Sequence, residues 1–262
     1  MISQEYGICR VAIAPLRTEP SDRAEISTQL LFGDAVEVIQ KTEKWWQIRN
    51  AYDGYEGWMD FKQLTKISAD QYLNNQKVEY FAPLQVNNIL VASDGSQYYL
   101  SAGSNLPQFK DGFCYLGEEK FKVLFIPFHL SSVASGQEIA DMAMFFRNAP
   151  YLWGGCSLFG IDCSGLAQVV FKMAGVKLRR DASQQAEQGE AVHFLPESQV
   201  GDLAFFDNDE GRIIHVGILL SDNKIIHASG RVRIDPIDDQ GIYNAELGKY
   251  SHRLRIIKRF MT

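Results

Sequence analysis

The chain has 262 residues, with 26 Lys and Arg against 32 Asp and Glu and a formal net charge of −6. That balance argues against nucleic acid as the main partner, since phosphate binding needs a clustered excess of Lys and Arg and the pair Arg179-Arg180 is too short to supply one. Hydrophobic residues make up 46% and charged residues 22%, ordinary for a globular protein with room for two or three domains, and no apolar run reaches the roughly 18 residues of a membrane span.

The start, Met1 to Cys9, has neither the basic segment nor the apolar segment of a leader. The chain therefore reads as cytoplasmic, or as a cell-envelope protein if a leader has been removed. The next stretch reads as β-rich. Ala35 to Ile39 and Trp46 to Arg49 alternate polar and apolar residues, with turn signals at Phe32-Gly33-Asp34 and from Tyr52 to Gly57. Of Trp45 and Trp46, one is expected in the core and one on the surface. Residues 67–126 are less regular; Val86–Ala92, Gln97–Leu100 around the turn Asp94-Gly95, and Phe121–Phe128 are the candidate strands.

After Pro127 the period changes. Gly136 to Asn148 reads as a helix with Ser135 as N-cap and Pro150 just beyond it. A glycine-rich loop, Tyr151-Leu152-Trp153-Gly154-Gly155, leads to a second helix from Cys163 to Ala174. Its inward stripe is Leu166, Val169, Val170 and Met173, and Gly175 stands where a helix C-terminus wants glycine. Leu203–Phe206, Ile213–Leu220, Lys224–Ser229 and Leu254–Phe260 read as antiparallel strands. Helices followed by such strands make an α+β unit.

Four cysteines, Cys9, Cys114, Cys156 and Cys163, are too few for a disulfide scaffold and none forms a C-x-x-C pair, although a bridge between Cys156 and Cys163 stays open. In Gly160-Ile161-Asp162-Cys163-Ser164-Gly165, Cys163 falls in the first turn of the second helix. Free amides and the helix dipole there favour a thiolate. The polar neighbours Asp162 and Ser164 argue against deep burial, and Gly165 permits close approach of another backbone. A nucleophilic cysteine needs a base and a group that orients it. His215 and His227 sit in two strands joined around Ser221-Asp222-Asn223. A three-residue loop pairs 215 with 229 and 217 with 227, which puts both imidazoles on one face, roughly 7–8 Å apart at the backbone. An even-length loop would send them to opposite faces. His129, His193 and His252 have no evident partner, Asp202 reads as a strand start, Asp238-Asp239 as a solvated loop, and no metal-ligand spacing or cofactor motif is present.

Tyr151-Leu152-Trp153-Gly154-Gly155, Asp162-Cys163-Ser164-Gly165-Leu166, Gly201 to Phe206, His215-Val216-Gly217-Ile218 and Ile226-His227-Ala228 resemble, in that order, the motifs of the NlpC/P60 cysteine peptidases, over about residues 127–262. Gly33 to Val38, Trp45 to Ile48 and Gly54 to Met59 resemble a bacterial SH3-like domain, over about residues 8–66. The resemblance implies a papain-like catalytic domain (127–262) preceded by two small all-β SH3-like barrels (1–66 and a degenerate 67–126), acting as a monomer on the stem peptides of peptidoglycan. It implies Cys163 as nucleophile, His215 as base, His227 as its orienting residue, and Tyr151 beside the oxyanion with the Cys163 amide.

The two leading barrels resemble those of the YkfC-type members, γ-D-glutamyl-L-diamino acid endopeptidases that release L-Ala-γ-D-Glu from peptides with a free amino terminus. In those relatives an acid and a tyrosine of the first barrel hold the amine; Glu25 and Tyr55 match them, and a carboxylate and an aromatic face suit an ammonium. Asp162, Ser164 and Ser183 match positions lining the cleft. Two rivals are a wall-binding module with an inactive papain-like domain, and an amidase or acyltransferase on the same fold.

Overall fold

The computed structural model describes residues 4–261. The chain divides into two compact units, Met1–Ser131 and Ser132–Thr262.

In the first unit, β1 (Glu5–Cys9), β2 (Ile13–Arg17), β3 (Ile26–Leu31), β4 (Ala35–Lys41), β5 (Trp45–Asn50), β6 (Glu56–Asp60) and β7 (Leu64–Ile67) form one sheet in the order β3-β2-β6-β5-β4-β1-β7. Alternate residues point to one face, and Ala14, Leu16, Leu30, Val36, Val38, Trp46, Ile48 and Met59 gather there as a core. Trp45 and Trp46 are both buried, each 8% exposed, so the expected division into a core and a surface tryptophan does not hold.

After the short helix α1 (Ala69–Asn74) come β8 (Tyr80–Phe81), β9 (Asn88–Ala92), β10 (Gln97–Leu100), β11 (Phe113–Leu116), β12 (Glu119–Val123) and β13 (Phe128–His129). Four of them pair in the order β10-β9-β12-β11, around Leu90, Leu100, Leu116 and Phe121, with Phe32 from the turn after β3. The β9–β10 turn carries Gly95 at φ +85, the conformation that selects glycine. The run Phe121–Phe128 is not one strand: β12 ends at Val123 and β13 pairs with β8 instead.

The second unit opens with α2 (Gly136–Phe145), capped by Ser135, whose hydroxyl accepts from the Glu138 amide. The small hairpin of β14 (Cys156–Ser157) and β15 (Gly160–Ile161) leads directly into α3 (Cys163–Met173), and α4 (Ala182–Gln185) follows. Gly175, at φ +83, ends α3 as its position predicts. Beyond the expected inward stripe, α3 is buried on nearly every side, because it packs on α2 and on the strands that follow. Those strands are β16 (Glu190–Val192), β17 (Leu203–Asp207), β18 (Ile213–Ser221), β19 (Lys224–Ser229), β20 (Arg231–Asp238), β21 (Gly241–Asn244) and β22 (Lys249–Arg259). They pair in the order β16-β22-β17-β18-β19-β20-β21, and a further β21–β22 pairing closes the ring from β22 round to β21. Ala204, Phe206, Leu219, Ile225, Ile237, Ile242 and Ile257 fill its interior. β20 and β21 were not anticipated, and β22 begins five residues before the expected Leu254. Asp238 closes the β20–β21 turn by accepting from the Gln240 amide at 2.8 Å. No helix of the described residues is long and apolar enough to cross a membrane.

Candidate active site

The strand period places a polar cluster at one mouth of the ring. Along β18, His215 lies on the same face as Leu219, which points into the apolar interior. The register pairs Gly217 with His227, so His227 shares that face. Asp235 is opposite Ile225 and points inward with it. The expected pairing of 217 with 227 is therefore present, but its cause differs. The turn is two residues, Asp222-Asn223, and the register shifts between Leu219 and Ser221. This bulge supplies the odd residue that the loop lacks.

His215 Nε2 lies 2.8 Å from His227 Nδ1, and His227 Nε2 lies 3.0 Å from Asp235 Oδ2. Arg233 holds the carboxylate from behind, donating to Oδ1 at 2.9 Å. These bonds fix the tautomers in series. Asp235 accepts from His227 Nε2–H, so His227 Nδ1 accepts from His215 Nε2–H. The lone pair of His215 is left on Nδ1, where it can take a proton. Burial drives the pKa of His215 well below 6.5, and the neighbouring rings of His252 and His227 drive it the same way. Burial raises the Asp235 carboxyl, but hydrogen bonds from His227 and Arg233 prevail and hold it below the usual carboxylate range.

Cys163 begins α3, behind its N-cap Asp162. The Asp162 carboxylate accepts from the amides of Gly165 at 2.6 Å and Gly154 at 2.8 Å. Arg180, its side chain 1% exposed, grips both oxygens at 3.1 and 2.6 Å and donates to Ser164 Oγ at 2.8 Å. α4 joins this cluster: the Gln185 amide donates to the Ser164 carbonyl at 3.0 Å. Gly165 is required because a Cβ there would stand 2.2 Å from the Gly155 carbonyl oxygen.

Polar neighbours do not keep Cys163 exposed, contrary to expectation. Asp162, Cys163 and Ser164 are all buried, because the fully buried Arg180 satisfies the polar pair. Burial pushes the Cys163 thiol up to about 11, with Asp162 adding to the rise, while hydrogen bonds from the Val216 and Ser164 backbone oppose it. The helix start thus does not by itself yield a thiolate. The Val216 contact sets the sulfur against the residue that follows His215. Burial also raises the Tyr151 hydroxyl to about 12, helped by the proximity of Cys163 and Asp162. It remains a phenol, able to donate to a developing oxyanion.

The structure thus gathers Tyr151, Asp162, Cys163 and Ser164 at the helix start, and His215 and His227 at the ring mouth. Ser183 is exposed on α4, where no hydrogen bond ties it to that cluster. Glu25 and Tyr55 belong to the first unit. Glu25 is exposed just before β3, and the half-buried Tyr55 leads into β6 with its amide donating to Asp53 at 3.0 Å. All four cysteines are buried free thiols, so Cys156 and Cys163 form no bridge.

Sequence reasoning missed Arg180, Asp235 and His252. The ring of His252 stacks on that of His215, centroids 4.0 Å apart and planes 21° apart. Its signal is the alternation Tyr250, His252, Leu254, which lies ahead of the expected strand start at Leu254.

A helix that presents a thiol to the wall of an antiparallel ring, with imidazoles at the mouth of that ring, is the arrangement of papain-like hydrolases. Residues 148–249 match the NlpC/P60 family, and residues 16–64 match the bacterial dipeptidyl-peptidase Sh3 domain. A γ-D-glutamyl-L-lysine dipeptidyl-peptidase of Bacillus subtilis is 30% identical over 228 residues, spanning 78% of this chain and 72% of that protein. Dipeptidyl-peptidase 6 of Lysinibacillus sphaericus is 28% identical over 87% of this chain and 90% of its own length. The crystal structure of an NlpC/P60 family protein from Bacillus cereus superposes with a TM-score of 0.81 at 21% identity, over 98% of this chain and all of that one, a likeness of fold. The chain belongs to the NlpC/P60 family, and is a hydrolase of peptidoglycan peptides with an SH3-like domain in its first unit.

Proposed function

We propose that the chain cuts the γ-D-glutamyl-L-diamino acid bond of murein peptides that carry a free amino-terminal L-Ala, releasing L-Ala-γ-D-Glu. The observation that carries this reading is the hydrogen-bonded series Asp235, His227, His215, which leaves the His215 Nδ1 lone pair for a proton, one residue before Val216, whose backbone meets the Cys163 thiol. His215 takes the thiol proton as the sulfur attacks the γ-carbonyl. The oxyanion is met by the Tyr151 hydroxyl and the Cys163 amide. His215 then protonates the leaving amine of the diamino acid, and water, deprotonated by the same ring, hydrolyses the thioester. His227, held by Asp235, keeps His215 in the correct tautomer.

The relatives' dipeptidyl-peptidase names and the SH3-like match over 16–64 support the exact bond. In this reading 1–66 and 67–126 are SH3-like barrels and 127–262 is the α+β catalytic domain. Glu25 and Tyr55 bind the substrate's ammonium, and Asp162, Ser164 and Ser183 line the cleft.

A panel of murein peptides with free and acetylated amino termini, with products read by mass spectrometry, tests the proposal. Release of L-Ala-γ-D-Glu should need the free amine and vanish in Cys163→Ala. Glu25→Ala should lose the preference for a free terminus. Unchanged turnover in Cys163→Ala would refute the mechanism, and equal cleavage of blocked peptides would refute the specificity.

A further inference from the structure

The third histidine at the ring mouth has no part in the proton path above. One ring nitrogen from each of His215, His227 and His252 lies within 4.8 Å of the other two. Tetrahedral zinc, with bonds to nitrogen of about 2.0–2.1 Å, needs its donors roughly 3.4 Å apart. His215 Nε2 and His227 Nδ1, at 2.8 Å, must part slightly, and the His252 nitrogen, within 4.8 Å of both, moves in by at most about 1.4 Å. His252 must also turn out of its near-parallel stack on His215, with 21° between the planes, for the two lone pairs to converge.

The surroundings are those of a built imidazole site. Asp235 accepts from His227 Nε2, so the lone pair of His227 Nδ1 faces inward, the carboxylate–histidine arrangement that supports metal ligands. Ser251 Oγ donates to the Ile242 carbonyl at 3.3 Å and so accepts from His252 Nδ1–H at 2.9 Å, which leaves the lone pair of that ring on Nε2. An approach to His252 also exists. A pocket of about 740 Å³ reaches His252 and is lined by Asp207, Asp209 and Asp239. Arg253 also borders it but is tied to Asp207 at 2.8 Å. That pair neutralises Asp207, and Asp209 and Asp239 are left to attract a cation.

We propose that His215, His227 and His252 bind a divalent transition metal of the zinc type, a metal suited to imidazole donors, with water as the fourth ligand. The metal takes the lone pairs of His215 Nε2 and His227 Nδ1. The proton between them moves to His215 Nδ1, which fills the lone pair that would take the thiol proton, so occupancy stops hydrolysis reversibly. The inhibitory half rests on the function proposed above; the binding half does not.

Calorimetric titration of the full chain with zinc tests the binding half. One site is expected in the wild type, and in Cys163→Ser an affinity within about threefold of it, because no sulfur is a ligand. His252→Phe, which keeps a stacked ring, should bind at least tenfold more weakly, as should His252→Gln, which covers the case that the phenylalanine variant does not fold. Cobalt should give tetrahedral visible bands without a sulfur charge-transfer band. Loss of binding in Cys163→Ser, a sulfur band, or full affinity in both His252 variants would overturn the site. For the inhibitory half, the rate of each variant is compared with its own metal-free rate. Zinc should inhibit the wild type, chelator should restore it, and His252→Gln should need at least tenfold more metal. Zinc that binds stoichiometrically without slowing an active enzyme would overturn the switch; absence of hydrolysis before zinc is added would count against the proposed function and leave the binding result standing.

Discussion

The catalytic unit buries two polar clusters, and they differ in kind. At the helix start, Asp162 and Arg180 are opposite full charges in bidentate contact, with Ser164 between them. At the ring mouth, imidazoles form the cluster, and the ion pair of Asp235 with Arg233 sits only at its outer end. A buried ion pair is costly to break because the remaining charge has no partner. A file of imidazoles is held by one hydrogen bond per step and moves a proton easily. The helix side is therefore built to hold the thiol in place, and the ring side to change state.

This comparison breaks most clearly at Arg180. Arg180→Met leaves the Asp162 carboxylate buried without its counter-charge, and should cost about 3–5 kcal/mol of unfolding free energy, read by denaturant titration. Adding Asp162→Asn should recover a good part, since the stranded charge is gone. A loss below about 1 kcal/mol would show that the pair is not structural. Asp235→Asn should do the reverse. Arg233 keeps the amide oxygen, so the NH2 group faces His227 Nε2 and both tautomers reverse; kcat should fall about 100-fold, or about 2.7 kcal/mol, with KM little changed and stability falling less than in Arg180→Met, because Arg233 keeps Glu246 at 2.8 Å. A fall in KM-dependent binding alone would remove Asp235 from the proton path.

The third expectation concerns the state of the resting thiol. With Cys163 near 11 and His215 well below 6.5, the pair is neutral thiol and neutral imidazole across the physiological range. Alkylation by iodoacetamide should then climb with pH toward about 11, and the acid limb of kcat/KM should lie below pH 6.5. An alkylation rate already flat from about pH 5 would show a thiolate–imidazolium pair instead.

What the sequence disclosed follows from range. Ser135, Gly175, α3 and the β18–β19 ladder are written in local caps and periods, and were legible. Arg180 lies 18 residues from Asp162 and Asp235 lies 8 from His227, pairings that exist only after the chain folds. The burial of Cys163 was misread for the same reason: its polar neighbours look wet until a buried guanidinium is found for them. The bulge near Leu220 leaves no mark in composition, yet it decides which face His227 takes.

The smallest expected effect tests the ring mouth through stability alone. Burial, reinforced by His227, lowers His252 from 6.5 to about 4, with Asp235 opposing. The unfolded chain therefore binds a proton between those values that the folded chain refuses. Stability must fall as pH drops from 6.5 toward 4 and is unaffected by this group above that window. His215 contributes a loss of the same sign, and Asp235, held low, loses its contribution only at more acid pH. His252→Phe deletes the first of these three. Its melting temperature should decline less between pH 7 and pH 5 than that of the wild type, by a difference on the order of 2 °C in scanning calorimetry. Parallel declines in the two proteins would mean that His252 titrates as a solvated ring, and that the ring mouth is wetter than the helix start.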